Sequence, residues 1–202
     1  MLGSSDPHAP VPISQVDGLK ALVDRALPIL TDPSNACTKT ELASMVVSLK
    51  ISGLYSWWVD DIGAAELTKG LGYRVRAGLI YAGQAGGTHA QSGKTSAATL
   101  AGRLLRQHFN GRTRSSTFRR TIGSILSAAR HRHVTESEIS QWMSDHLRVV
   151  PWPNADARAL FSVERSLLSM IDPPLNLDEV PSTPLRKELT RLRKSYRRES
   201  LP

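Results

Sequence analysis

Apolar positions along this chain recur in two rhythms. Near the N-terminus Val16, Leu19, Leu22, Val23, Ala26, Leu27 and Leu30 return every three or four residues, the spacing of one helix face, and Asp32-Pro33 ends the run. Thr38 and Glu41 have the spacing of a capping box and predict a second helix running towards Leu49. The rhythm then changes. Aromatic and β-branched residues fill 53–59 and apolar residues fill 77–82, so both segments read as strands, with a short helix over 62–71 between them that Gly70 or Gly72 closes. Residues 83–96 are rich in Gly and Ser and read as a loop. Beyond it Leu100, Leu104, Leu105 and Phe109 mark an apolar helix face, while Arg103, Arg106 and His108 decorate its other sides. A helix is predicted over 117–129, and a second capping box at Thr135 and Glu138 opens another that carries Trp142 and Met143. A short strand at 147–150 precedes a helix over 157–170 with Leu160, Phe161, Leu167 and Leu168 inward, stopped by Asp172-Pro173-Pro174.

This order of elements points to a small mixed α/β fold, α+β in arrangement: a three-stranded, mainly antiparallel sheet flanked by helices. The expected organisation is a tail over 1–13, a helical extension over 14–50, a main domain over 51–180 with an insertion near 60–76, and a basic helix in 181–202. No repeat is evident.

Charge changes the picture. Net charge is +8 over 202 residues, which favours a polyanionic partner because Lys and Arg that neutralise phosphates release condensed counterions. The excess is concentrated: between Glu66 and Glu136 there is no carboxylate, while twelve cations fall in that span, from Lys69 to Arg132. Lys94, Arg106, Arg112, Arg114, Arg119 and Arg120 are its candidate DNA contacts. No apolar run approaches the roughly 18 residues of a membrane span, and the N-terminus lacks the basic start and apolar core of a signal peptide, so a cytoplasmic protein without a membrane partner is expected. Cys37 is the single cysteine, which excludes an intrachain disulfide and a multi-cysteine zinc site.

Chemistry enters with Gly53-Leu54-Tyr55 on the first strand and Tyr81-Ala82-Gly83 on the second, followed by Arg103 on the next helix, Glu164 on a later one, and then Asn176. This ordered set resembles the GIY-YIG nuclease family over about 52–177. Two features depart from the family's pattern: the gap between the tripeptides is roughly twice the usual length, similar to an insertion in some restriction endonucleases of the family, and Ala82 stands where Ile or Val is preferred. Family members often carry a histidine one helical turn after the arginine, whereas His108 lies five residues beyond Arg103. The resemblance implies a metal-dependent endonuclease acting on DNA, with double-stranded DNA as the expected partner, a restriction or defence role, and a homo-oligomer left open. It implies catalytic roles for Tyr55, Tyr81, Arg103, His108, Glu164 and Asn176, with Glu164 holding Mg²⁺ or Mn²⁺. Hard oxygen ligation by one carboxylate plus waters and phosphate suits either ion. A tyrosine base needs its pKa lowered from about 10, and the cationic span is the expected cause.

Competing readings remain at this level. Residues 86–95 approach a phosphate-binding loop, but Thr88 stands where G-x-x-x-x-G-K-[ST] needs glycine, so a DNA-facing loop is the better description. His131-Arg132-His133 lacks a third metal ligand and reads as basic loop. Trp57 and Trp58 alternate across a strand, one for the core and the other for the inserted helix or a base. A non-catalytic nucleic-acid-binding module, or a protein that binds partners through its basic C-terminal helix, is the alternative function.

Overall fold

A computed structural model describes residues 13–87 and 96–199. Its centre is a three-stranded antiparallel sheet in the order β2-β1-β3, made of β1 (Gly53–Val59), β2 (Gly78–Ala85) and β3 (Leu147–Pro153). Because side chains alternate across a strand, β1 feeds two cores at once. Tyr55, Trp57 and Val59 point into the larger one, while Leu54 joins Val150 and Trp152 in the other.

On the larger side lie α3 (Asp61–Leu71), a π-helix (Gly102–Phe109), α4 (Thr117–Arg130), α5 (Glu136–His146) and α7 (Pro184–Glu199), which contribute Leu67, Leu104, Ile125, Met143 and Leu189. The other face is covered by α1 (Ile13–Leu30) and α6 (Leu160–Ile171) through Val23, Ala26, Leu30, Val163 and Leu167. Ser56, fully buried on that face, donates from Oγ to Leu30 O at 2.7 Å and so ties the end of α1 to the sheet. The N-terminal helix thus packs on one face of the sheet, while the basic C-terminal helix packs against α4 and α3 in the helical layer on the other side. α7 buries Leu189, Leu192 and Tyr196.

Local signals held where capping chemistry is explicit. Both capping boxes form, Thr38 with Glu41 before α2 (Lys39–Ser44) and Thr135 with Glu138 before α5. The second expected helix stops at Ser44 rather than near Leu49, with turns following. Asp60 caps α3 and Gly72, at φ +67°, ends it in the left-handed conformation that glycine adopts without strain. Gly70 serves packing instead: a Cβ there would overlap Ile125 O of α4. The insertion is therefore part of the core. Its Glu66 accepts from Arg130 Nε at 2.7 Å and Trp142 Nε1 at 2.8 Å, joining α3 to α4 and α5. Trp58 does not reach the inserted helix; it packs in the α1–α6 cluster and donates to Ser56 Oγ. Residues 88–95, which include the near phosphate loop and Lys94, lie outside the described residues.

Candidate active site

The two tripeptides meet because β1 and β2 pair in one register: Tyr55 lies opposite Gly83 and Trp57 opposite Tyr81. The glycines have steric reasons. A Cβ on Gly83 would stand 2.7 Å from the Tyr55 hydroxyl and 2.9 Å from Cζ, so the phenol occupies the space that glycine leaves open. A Cβ on Gly53 would overlap Trp152 O of β3.

Tyr55 is 3% exposed and its hydroxyl lies 2.9 Å from His108 Nε2. His108 Nδ1 in turn sits 2.8 Å from Ser116 Oγ, the N-cap of α4, which also accepts from Arg119 N–H at 3.1 Å. A histidine five residues after Arg103 reaches this place because the segment winds as a π-helix, closing i→i+5 bonds such as Asn110 N–H to Leu105 O at 3.0 Å. In an α-helix the same residue would turn away. The exposed face expected for His108 is thus replaced by a buried position, with its ring 5.6 Å from that of Phe118. Phe118 also contacts Tyr81, ring centroids 4.7 Å apart.

Glu164, on α6, lines a cleft of about 210 Å³ with Tyr81, Asn176, Asp178, Glu179 and Arg193. Arg165 pairs with Glu179 rather than with Glu164, which makes no ion pair among the described residues. Burial raises its carboxyl to about 7, with Glu179 and Asp178 adding to the effect and a Gln84 hydrogen bond and Arg103 opposing it. Arg103 acts on the charge of Tyr55, Tyr81, His108 and Glu164 alike, so it sits among all four. Its Nη1 donates to Gln107 Oε1 at 2.7 Å, while its buried Nε has no partner among the described residues.

The electrostatics overturn one expectation. Cations do not make either tyrosine acidic: burial holds Tyr55 well above its ordinary value and lifts Tyr81 to about 12, and Arg103 offsets only part of this. The same desolvation, with Arg103 and Arg119, pushes His108 down to about 3, so its imidazole is neutral at physiological pH.

Asn176 lines the same cleft and is fixed there by the neighbouring strand. Its amide accepts from Ala82 N–H at 3.0 Å and donates to Ala82 O at 2.9 Å, continuing the sheet edge beside Tyr81. Both ends of the amide are engaged, so it positions Tyr81's strand from the cleft wall. Arg119 is a correction among the DNA candidates. It is fully buried, donates to the main-chain carbonyls of His108, Phe109 and Glu136, and pairs with Glu136 at 2.8 Å. Arg130 and Arg132 also meet carboxylates, Glu66 and Glu138. The acid-free stretch is thus partly neutralised by the residues that bound it. Arg106, Arg112 and Arg114 are exposed, and Arg120 is half-buried, held by Thr113 O and Arg114 O.

Several residues here were not singled out from sequence: Ser116, Gln84, Asp178 and Glu179, while Arg186 was read only as one cation of the basic C-terminal helix. Ser116 carried a signal, since it precedes the helix at Thr117 as an N-cap should. Arg186 carried none. Buried on α7, it binds Asp172 at 2.6 Å and the carbonyls of Pro173, Asn176 and Pro181, stapling the segment that bears Asn176 and Asp178.

Searches of curated proteins and of solved structures give no match. A family model described as the GIY-YIG catalytic domain matches residues 53–195, from the glycine that opens β1 to Ser195 of α7 and spanning both tripeptides, Arg103, His108 and Glu164. With well over half of its length matched, this chain belongs to the GIY-YIG catalytic-domain family, a family of nucleases.

Proposed function

We propose that the protein is a divalent-metal-dependent endonuclease that hydrolyses phosphodiester bonds of double-stranded DNA. The observation that carries this reading is that Tyr81 and Glu164 line one cleft, Tyr55 shares a small neighbouring pocket with Glu164 and hydrogen-bonds His108, and Arg103 acts on the charge of all four, in a member of a nuclease family. The inserted α3 supports a restriction or defence role by its similarity to restriction endonucleases with a lengthened gap.

Hydrolysis needs an activated water and relief of charge on the phosphate. Arg103, with an unpartnered Nε among the described residues, supplies a cation to grip the scissile phosphate. Tyr55, held neutral, accepts a proton from water while passing its own to His108 Nε2. That transfer requires the tautomer in which Nδ1–H donates to Ser116 Oγ, an assignment read from the hydrogen-bond network. A bound phosphate also neutralises Arg103, one of the two cations that depress His108, and so strengthens the acceptor as substrate arrives. Tyr81, with its phenolic proton retained by burial, donates a hydrogen bond to a phosphate oxygen.

The donor set suits a hard cation that keeps its own waters. Among the described residues no three His, Cys, Asp or Glu side chains gather into a closed metal cage, whereas Glu164 is a desolvated carboxylate without an ion pair. Glu164 would hold Mg²⁺ or Mn²⁺, oriented by Gln84; the ion, when bound, supplies Lewis-acid stabilisation of phosphate charge. Incubation of purified protein with supercoiled and linear duplex DNA, with and without either ion, tests the reading. Metal-dependent breaks with mappable ends are expected. Intact DNA under every condition, from folded protein, would overturn it.

A further inference from the structure

The C-terminal helix brings into the cleft a cation that belongs to none of the ordered motif residues. Arg193 of α7 lines the cleft with Tyr81 and Glu164, across from Thr117 and Thr121 of α4. It is half-buried, and among the described residues it makes no ion pair within 4.0 Å. Burial and nearby Arg120 lower its proton affinity, against weaker pulls from Asp178 and Tyr81. Desolvating a guanidinium beside a like charge is costly unless an anion arrives to compensate.

The helix that bears Arg193 is firmly held. Leu189, Leu192 and Tyr196 are buried around it, and the Arg186 staple fixes the opening turn. Rigid support of this kind places a binding group in advance of its ligand. The reach of Arg103 and Arg193 differs. Arg103 acts on Tyr55, Tyr81, His108 and Glu164, whereas of these four Arg193 acts on Tyr81 alone. Arg193 lines the cleft beside Tyr81, whereas Tyr55 and His108 are buried and do not line it.

We propose that Arg193, backed by Arg120, forms a second phosphate-binding position that takes a non-scissile phosphate of the strand whose scissile phosphate Arg103 grips. This rests on the nuclease reading above. It assigns to α7 a role in substrate affinity and leaves the chemical step to the groups around Tyr55. Asp178, which lines the same cleft, adds only a weaker favourable interaction with the guanidinium.

The test is duplex DNA binding in Ca²⁺ as a function of salt, measured by fluorescence anisotropy, beside single-turnover cleavage in Mg²⁺ at saturating DNA. Arg193→Met keeps the aliphatic stem and removes the charge. Roughly tenfold weaker binding is expected, uniform across DNA sequences, with the slope of log affinity against log salt reduced by about one. The saturated cleavage rate should stay within about threefold of wild type, a split between affinity and rate that a merely structural role would not give. Arg193→Gln, a second neutral variant whose fold is checked by circular dichroism, should repeat the result, and Arg193→Lys should restore most of the slope. Unchanged affinity and slope in both neutral variants would overturn the subsite while leaving the nuclease reading intact. A collapse of the saturated rate with unchanged affinity would also overturn it, by moving Arg193 to the scissile phosphate. Wild-type protein that binds no duplex DNA would overturn both.

Discussion

Glu164→Gln should make the metal-free protein more stable at pH 8, and the size of the gain follows from the site. The carboxyl of Glu164 is raised from 4.5 to about 7 by burial and by Glu179 and Asp178. A folded-state value above the unfolded one means that the protonated form is the stable one: no penalty exists below about pH 4.5, and it grows until pH passes 7. At about 1.4 kcal/mol per pKa unit the upper bound is about 3.5 kcal/mol, and partial exposure of the side chain reduces this to about 1–2 kcal/mol. Glutamine keeps the shape and carries no charge, so it escapes the penalty at every pH. For a protein of this length the gain corresponds to roughly 2–8 °C in Tm. Thermal unfolding followed by circular dichroism in EDTA, at about pH 4.5, 6 and 8, checks both magnitude and direction; the gain should be nearly gone at the lowest pH. Added Mg²⁺ at pH 8 should then stabilise wild type and not the variant. A Gln variant that is no more stable at pH 8, or a gain independent of pH, would refute the reasoning and make Glu164 an ordinary cleft carboxylate.

Gly83→Ala should fold with a loss of about 1–3 kcal/mol and cleave about a hundredfold more slowly, because its Cβ would stand 2.7 Å from the Tyr55 hydroxyl and displace it from His108; denaturant melts and single-turnover rates check this. Neutralising Arg112 and Arg114 together should flatten the salt dependence of DNA binding by up to about two units of log-log slope, since both are exposed. Arg119→Met should instead cost roughly 3 kcal/mol or more in urea unfolding, because it strips the partner from Glu136 and leaves buried carbonyls of His108 and Phe109 without their donor.

What the sequence made legible was whatever local chemistry decides. Thr38 and Thr135 announce helix starts because a side-chain oxygen satisfies a free N–H within three residues. The order Tyr55, Tyr81, Arg103, Glu164 was readable as a motif, and the structure adds the strand register and the glycine clearance that bring the two tyrosines together. Burial was not legible. Arg119 and Arg186 look like surface cations in any one-dimensional count, yet each is consumed by carbonyls and a carboxylate from neighbouring segments that the fold wraps around it. The same blindness misjudged the tyrosines, whose charge environment is set by desolvation that no charge count contains. His108 was misplaced by a different cause: a periodicity argument assumes α-helical winding, and the π-helix carries His108 inward while Leu100, Leu104 and Phe109 stay on the buried face as read.

The proposed hydrolysis depends on the Tyr55 hydroxyl and the Glu164 carboxylate. Single-turnover cleavage of supercoiled DNA at saturating Mg²⁺, comparing wild type with Tyr55→Phe and Glu164→Gln, tests it most directly when duplex binding in Ca²⁺ is measured alongside. The account predicts metal-dependent cleavage by wild type, a rate at least about a hundredfold lower in each variant, and binding that is unchanged or slightly tighter for Glu164→Gln. Cleavage by both folded variants at near wild-type rates would contradict it.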